Sequence, residues 1–433
     1  MARLLRNFRY RRLNDPVDQA NISYGLILES ILALDEDFYL FPESYVPSLQ
    51  TICIKSVLRQ SSELFAPYTS CTGEQLLREL PPGPFDRLPP PLCDLLCDLL
   101  LWLRDPQSCS VPLYCVISPY TRCLCLREPL SDAWGVPVER LLAARTCHLV
   151  EVTWTGAPVT ADLLTLLGDS PRLAVFVTDE ALAGEYVARL LARCPELRVL
   201  QLRDRGCVMT SLCRRDVTHP ALRDLRLVVD DMADVAAVAR VFAGLERLLV
   251  RPHSGKPWAM LACTPTEPWF HSLAVLSLSE CTDVGLLDTP LAALETLTLD
   301  RCGFQPRHLG LHPRLRSLRV VCCRRAERWD RGEGGAPLAP AVDTLSVLSA
   351  LELEGFSGVS VPLDLRLPAM VLWLRRCLPS LEGLLLVNMY IVTEAWTPLF
   401  RELRAAGVAV DLEGGCTIPP WRRSCIRVAS AEC

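Results

Sequence analysis

The chain of 433 residues is half hydrophobic and carries a formal net charge of −5 at neutral pH. This composition excludes a disordered tail protein and gives no reason to expect nonspecific binding to nucleic acid or to an anionic membrane. The length fits either two or three compact domains or one elongated array, so internal pattern must decide the architecture.

The 21 cysteines are an odd number with irregular spacing, and no apolar signal segment precedes them, which argues against a secreted disulfide framework. We therefore expect a reducing compartment, the cytoplasm or the nucleus, in which buried cysteines serve as small hydrophobic side chains. The longest leucine-rich stretch, Leu92 to Leu103, contains two aspartates and is too short to cross a bilayer. The sequence predicts no membrane segment and no membrane partner.

Residues 1–20 form a basic N-terminal arm. Five arginines and no acidic residue occur before Asp15, a pattern that superficially resembles a mitochondrial presequence. Asp15, Pro16 and the acidic residues after them interrupt the pattern, which favours a solvated arm instead.

Residues 21–115 lack any repeat, and their apolar spacing predicts a small all-helical module. Within it, the segment 48–57 follows Pro47, a residue type favoured at a first helical position. A spacing of four places Leu49, Cys53 and Val57 on one helical face, where they can enter a groove of a partner protein. A second motif lies at residues 88–92, directly before a leucine-rich helix.

From about residue 116 to residue 415 the pattern L-x-x-L-x-L recurs, mostly at intervals of 21 to 25 residues. The clearest copies begin at Leu273, Leu294 and Leu315, and each has a cysteine at its ninth position. Looser copies begin at Leu149, Leu173, Leu197, Leu222, Leu245, Leu348 and Leu381. Segments between the copies, such as Glu180 to Cys194 and Ala233 to Phe242, show helical spacing, so each unit is predicted to be strand, turn and helix.

This pattern resembles the leucine-rich-repeat family over roughly the last 300 residues. The resemblance implies an α/β solenoid, a horseshoe with strands on its concave side and helices on its convex side. Val408 to Leu412 is the expected closing element, and residues 416–433 are the expected C-terminal tail. Loops are predicted at Arg324 to Ala339 and at Pro252 to Pro268, with Trp258 and Trp269 nearby. Such loops are candidate contacts for a partner, and the alternative is insertions without function.

A small helical module ahead of such repeats resembles the substrate receptors of cullin-RING ubiquitin ligases. Residues 48–57 match the BC box that docks on Elongin C, which implies that the adaptor-binding residues are Leu49, Cys53 and Val57. Residues 88–92 resemble the cullin box of VHL-type receptors, which implies that the cullin-binding residues are Leu88, Pro89 and Leu92. The same region also resembles part of an F-box, which would dock on the F-box adaptor and would leave residues 46–60 unexplained.

Strand residues between the core leucines share one face, because side chains alternate across a strand. On this face four arginines fall within three consecutive repeats. We expect an acidic, phosphorylated or C-terminal-carboxylate segment of a protein substrate to bind Gln201, Arg203, Arg226, Arg247, Arg251 and Arg319. The alternative is a solvated face whose charge is partly neutralised by Asp224 and Asp230.

No sequence motif indicates catalysis. A phosphate-binding loop, a G-x-S-x-G elbow, a C-x-x-C pair and an H-E-x-x-H pair are all missing from the sequence. We therefore expect no enzyme activity, no metal and no cofactor. The predicted function is substrate recognition for a cullin-RING ligase, and the alternative is a leucine-rich-repeat scaffold or regulator whose N-terminal helices cap the array.

Overall fold

A computed structural model describes residues 121–126, 149–155, 158–205, 208–254, 256–260, 270–282, 284–302, 311–321, 350–354, 380–387, 396–413 and 427–428. The basic arm, the helical module and both of its motifs, at residues 48–57 and 88–92, lie outside the described residues. So do Cys323 and the predicted loop Arg324 to Ala339.

The chain divides into two compact units, Met1–Leu149 and Val150–Cys433. In the first unit the structure describes one strand, β1 (Cys123–Leu126), in which Leu124 is buried. The second unit alternates strands with helices or turns. Its elements are β2 (Glu151–Trp154), α1 (Ala161–Gly168), β3 (Val175–Ala181), α2 (Gly184–Arg193), β4 (Val199–Asp204), α3 (Val208–Arg214), β5 (Asp224–Val229), β6 (Met232–Ala233), α4 (Val235–Val241), β7 (Arg247–Pro252), β8 (Ala259–Met260), β9 (Val275–Ser279), a 3-10 turn (Gly285–Asp288), β10 (Thr296–Asp300), β11 (Ser317–Val321), β12 (Ala350–Glu354), β13 (Gly383–Val387), α5 (Trp396–Ala405), β14 (Ala409–Glu413) and β15 (Arg427–Val428).

Twelve strands of the second unit form a parallel sheet in the order β2-β3-β4-β5-β7-β9-β10-β11-β12-β13-β14-β15, so the order across the sheet follows the order along the chain. Parallel neighbours require a crossover connection, and the helices lie in several of these connections. Strands β6 and β8 form a separate parallel pair. The α/β class predicted from the sequence is confirmed.

The leucine spacing sets the register of the sheet. Leu297 lies opposite Leu276 on one side and Leu318 on the other, and the row continues through Leu351 and Leu384. Each L-x-x-L-x-L copy found in the sequence contributes a strand. Where the side chains are described, the strand leucines are almost entirely buried, whereas the intervening residues are mostly half-exposed. The core therefore lies on one face of the sheet.

A second regularity precedes seven of the described strands. The amide of the leading leucine donates to the carbonyl three residues earlier, as from Leu197 to Cys194 at 3.1 Å and from Leu222 to His219 at 3.4 Å. The same turn precedes β3, β7, β9, β10 and β11. Polar side chains at this buried position bond the neighbouring turn: the Cys194 thiol donates to the Leu167 carbonyl at 3.3 Å, and Nε2 of His219 lies 3.1 Å from the Cys194 carbonyl.

Three of the helices begin with a hydrogen bond from a helical amide to a side chain. Thr160 caps α1 by accepting from the Leu163 amide, Asp204 accepts from the Val208 amide at the start of α3, and Asp234 caps α4. These caps satisfy amides that have no partner inside the helix. Both helices expected in residues 180–194 and 233–242 are present but start later, because β3 runs on to Ala181 and β6 includes Ala233.

Two sequence predictions about loops and ends are wrong. Strand β7 runs through Pro252, and Trp258 is 1 % exposed with its Nε1 donating to the Ser279 carbonyl at 2.7 Å. Trp258 therefore packs in the core and is not a surface contact. The strand at Val408 to Leu412 does not close the sheet, because β15 in the predicted tail pairs with β14. No helix within the described ranges is both long and apolar enough to cross a membrane.

Candidate functional site

The sheet brings five of the six predicted substrate-binding residues together. Gln201 and Arg203 lie on β4, Arg226 lies on the next strand β5, and Arg247 and Arg251 lie on β7 beyond it. In the register Gln201 lies opposite Arg226, and Val228 lies between Arg203 and Arg251. All five occupy the face opposite the leucine core. We call Arg203, Arg226, Arg247 and Arg251 the arginine cluster.

Arg319 does not belong to this cluster. It lies on β11, from which β7 is separated by β9 and β10, and its register neighbours are Thr298 and Glu352. At the usual spacing of about 4.8 Å between strands, Arg319 is roughly 14 Å from β7 across the sheet. A ligand must extend over several strands to reach both positions.

Asp224 joins two of the arginines. Its carboxylate accepts from Nε and Nη2 of Arg226 at 3.3 and 3.0 Å, and Nη1 of Arg247 lies 3.9 Å from the same carboxylate. The side chain of Asp224 is only 8 % exposed, while those of Arg226 and Arg247 retain 22 % and 19 %. The buried carboxylate therefore fixes the orientation of two guanidinium groups that still reach solvent.

Arg203 has a carboxylate of its own. Its Nε and Nη2 lie 3.0 and 2.8 Å from one oxygen of Asp230, a residue just beyond the end of β5. The Asp230 side chain is more exposed than that of Asp224, so solvent screens this pair more strongly. Asp224 and Asp230 therefore neutralise part of the charge of Arg226 and Arg203.

Arg251 is the exposed member of the cluster. Among the described residues no ion pair or hydrogen bond to its guanidinium is found. The ion pairs of the cluster that the structure describes thus join two aspartates to three of the four arginines. Guanidinium groups present several donors in a planar fork and bind carboxylate or phosphate oxygens strongly, so this surface can hold an anion without a metal ion.

Sequence reasoning identified the arginines and the neutralising aspartates Asp224 and Asp230, but it did not predict which carboxylate pairs with which arginine. Asp204, next to Arg203, is buried and caps α3, so it does not belong to the charged face. Asp224 faces the arginines from β5. Asp204 directly follows Arg203 and therefore lies on the opposite face of its strand, whereas Asp224 precedes Arg226 by two residues and shares its face. The alternation of side chains along a strand was the available signal.

The residues predicted from the sequence to bind an adaptor and a cullin lie outside the described residues; they are Leu49, Cys53, Val57, Leu88, Pro89 and Leu92. In the part of the chain that the structure does describe, no group of three or more His, Cys, Asp or Glu side chains is arranged to hold a metal ion.

Buried cysteines in this unit have a structural role. Cys302, at the ninth position of its repeat, donates to the Leu278 carbonyl of the preceding repeat at 3.2 Å. Burial raises the pKa of the Cys302 thiol to about 12 and that of Cys194 to about 11. Both thiols therefore stay protonated near neutral pH and are poor nucleophiles.

No protein-family model matches the chain, and the curated proteins contain no match to it.

Proposed function

We propose that the second unit is a leucine-rich-repeat solenoid that binds an acidic segment of another protein on the face carrying the arginine cluster. The main support is the placement of Arg203, Arg226, Arg247 and Arg251 on three adjacent strands, with two aspartates in their described ion pairs. Support for the repeat assignment comes from parallel strands whose leucines lie in register at near-regular chain intervals.

Within that function, we propose that the protein is a substrate-recognition subunit of a cullin-RING ubiquitin ligase. The support is the order of sequence motifs, with a BC-box-like segment at residues 48–57 and a cullin-box-like segment at residues 88–92 ahead of the repeats. Elongin C and a cullin would hold the N-terminal module, while the arginine cluster holds the target. Proximity then raises the local concentration of target lysines near the charged conjugating enzyme, without covalent chemistry by this chain.

The binding function is tested with short fluorescein-labelled peptides of glutamate and serine, measured by fluorescence anisotropy. Replacement of Arg226 and Arg247 by alanine removes charge-assisted hydrogen bonds, so we expect the affinity of the full chain to fall at least about tenfold. A matched control, Arg172→Ala with Arg198→Ala, removes the same charge from two exposed positions off the cluster and should change the affinity less than about twofold.

Equal weakening by both double variants would show nonspecific attraction and would overturn the proposal. Replacing Arg226 and Arg247 by alanine removes both arginines that pair with Asp224. The folding of this double variant is therefore checked by circular dichroism. Arg251→Ala is the second variant, since that side chain is exposed and takes part in none of the described ion pairs. A folded Arg251→Ala protein with unchanged affinity, together with unchanged affinity of the double variant, would also overturn it.

The ligase role is tested by calorimetric titration of the full chain with purified Elongin B–Elongin C complex and, in parallel, with the F-box adaptor. Leu49→Asp with Cys53→Asp should abolish Elongin binding, because both side chains are expected on the docking face. Thr51→Asp with Lys55→Asp changes two residues expected on the opposite face of the predicted helix and is the matched control. Binding of the F-box adaptor instead would move the docking motif to residues 88–103, and binding of neither would favour the scaffold alternative.

A further inference from the structure

Two aliphatic side chains lie beside the arginine cluster on the same face of the sheet. Leu249 is half-exposed on β7 between Arg247 and Arg251, with Arg226 as its register neighbour on β5. On the other side, Val275 of β9 lies opposite Arg247 and is also half-exposed. Leu249 and Val275 are therefore diagonal neighbours on adjacent strands.

The surroundings of this pair are polar. Ser277 lies opposite Leu249 on β9, and the next strand continues the rows with Thr296 and Thr298. Arginines of β5 and β7 thus lie on one side of the aliphatic pair. Hydroxyl side chains of β9 and β10 lie on the other side. A ligand with one aliphatic side chain and one anionic group can cover such a small apolar patch and pair with the arginines beside it.

We infer that the ligand of the arginine cluster is an extended acidic peptide with an aliphatic side chain one or two residues from its anionic residue. The spacing supports this: adjacent strands are about 4.8 Å apart, and an extended peptide advances about 3.3 Å per residue. An anion at Arg226 and Arg247 therefore places a neighbouring ligand side chain over Leu249 and Val275. The inference rests on the proposed binding function and adds to it the class of peptide that is selected.

Anisotropy titrations with two labelled peptides test this inference. Both contain the same glutamates, and one carries leucine two residues after a glutamate where the other carries alanine. Burial of the leucine should make that peptide bind the full chain about tenfold more tightly. In the Leu249→Ala protein the difference should shrink to about twofold, while the affinity of the alanine peptide stays nearly constant. Leu311→Ala, at a 38 % exposed leucine outside the cluster, is the matched control and should preserve the tenfold difference.

The possible outcomes distinguish failure of this inference from failure of the proposed binding function. Equal binding of both peptides to the unaltered protein would overturn the inference and leave the acidic-peptide function standing. Binding of neither peptide would overturn both. Leu249→Met, which keeps an apolar side chain, should retain most of the preference. Replacing the glutamate by phosphoserine distinguishes a carboxylate from a phosphate as the anion, and the leucine preference is expected with either.

Discussion

At the scale of single residues, the two aspartates of the arginine cluster have different roles. The nearly buried Asp224 accepts from Arg226 and lies near Arg247, so it orients both guanidinium groups before any ligand arrives. Such preorganisation lowers the ordering cost of binding. Asp230 pairs with Arg203 from a more exposed position, where it competes with an incoming anion for the same donors. The two carboxylates should therefore respond differently to neutralisation.

We expect Asp230→Asn to tighten the binding of a glutamate peptide, because it releases Arg203 from a competing carboxylate. A partly exposed ion pair is worth less than about 1 kcal/mol, so the gain should be about two- to fivefold. Anisotropy at low and at moderate salt measures it. Asp231→Asn, at the adjacent exposed position, removes the same charge away from Arg203 and is the control. Weaker binding of the Asp230→Asn protein would contradict the competition argument.

The Cys302 thiol makes the free energy of unfolding depend on pH in the alkaline range. Burial raises the pKa of its thiol from 9.0 to about 12, whereas the unfolded chain has the ordinary value. The stabilising contribution is therefore complete below pH 9 and is lost as the pH rises towards 12, because the unfolded thiol releases its proton first.

The destabilisation caused by Cys302→Ala should accordingly become smaller as the pH is raised from 9 to 12, by at most about 1.4 kcal/mol per pH unit. Paired urea denaturation curves of the two proteins at each pH measure the difference in free energy of unfolding. Comparing the two proteins cancels the titration of lysines and tyrosines that they share. A difference that stays constant over this range would show that the thiol titrates normally in the fold.

At the scale of secondary-structure elements, Asp234 connects two helices. Its Oδ1 accepts from the Ala237 amide at 2.9 Å and caps α4, and its Oδ2 accepts from the Thr210 hydroxyl of α3 at 2.9 Å. One side chain thus caps the start of one helix and bonds it to the previous one. The hydrogen bond from Thr210 could not be predicted from the sequence, because Thr210 lies a whole repeat away from Asp234 along the chain.

Asp234→Ala should destabilise the protein by about 1–3 kcal/mol, through loss of the cap and of the bond to Thr210. Thr210→Val removes the interhelix bond alone and should cost less. Chemical denaturation measures both variants. Asp169→Asn, at an exposed aspartate that pairs with Arg193, is the control and should change stability by less than about 0.5 kcal/mol. A similarly small effect of Asp234→Ala would exclude a structural role for this cap.

Much of the strand arrangement could be predicted from the sequence, because one leucine spacing decides both which segments are strands and which faces are buried. Leu276, Leu297 and Leu318 lie in one register row as that spacing requires. The buried position of Trp258 could not be predicted, since it depends on β8 pairing with β6 and on the Ser279 carbonyl accepting from the indole. In the sequence alone, a tryptophan within a segment rich in proline and glycine is predicted to lie in a loop. Only the structure shows the strand pair and the carbonyl that hold Trp258 in the core.

The candidate site was predictable to a similar degree. Strand alternation placed Arg203, Arg226, Arg247 and Arg251 on one face, and the sheet order makes their strands adjacent. Which carboxylate pairs with which arginine could not be read from the sequence. The pairing of Asp224 with Arg247 depends on the register between β5 and β7, in which these two residues lie opposite each other. Arg226 lies two residues after Asp224 on the same strand.

At the scale of the whole sheet, each strand pairs with the strands immediately before and after it in the sheet order. A core residue therefore depends on its register neighbours and only indirectly on residues several strands away, as the proposed stacking of repeats requires. This organisation makes a quantitative prediction about pairs of substitutions.

Leu297→Ala and Leu318→Ala should each destabilise the protein by about 2–5 kcal/mol, because both side chains are fully buried. Since the two leucines are register neighbours, the double variant should depart from additivity by about 0.5–3 kcal/mol. Leu200 lies on β4, which is separated from β11 by β5, β7, β9 and β10, or roughly 24 Å. The pair Leu200→Ala and Leu318→Ala should therefore be additive within about 0.5 kcal/mol in urea denaturation. Equal coupling in both pairs would mean that the sheet forms one mutually dependent core, and the repeat description of this protein would have to be abandoned.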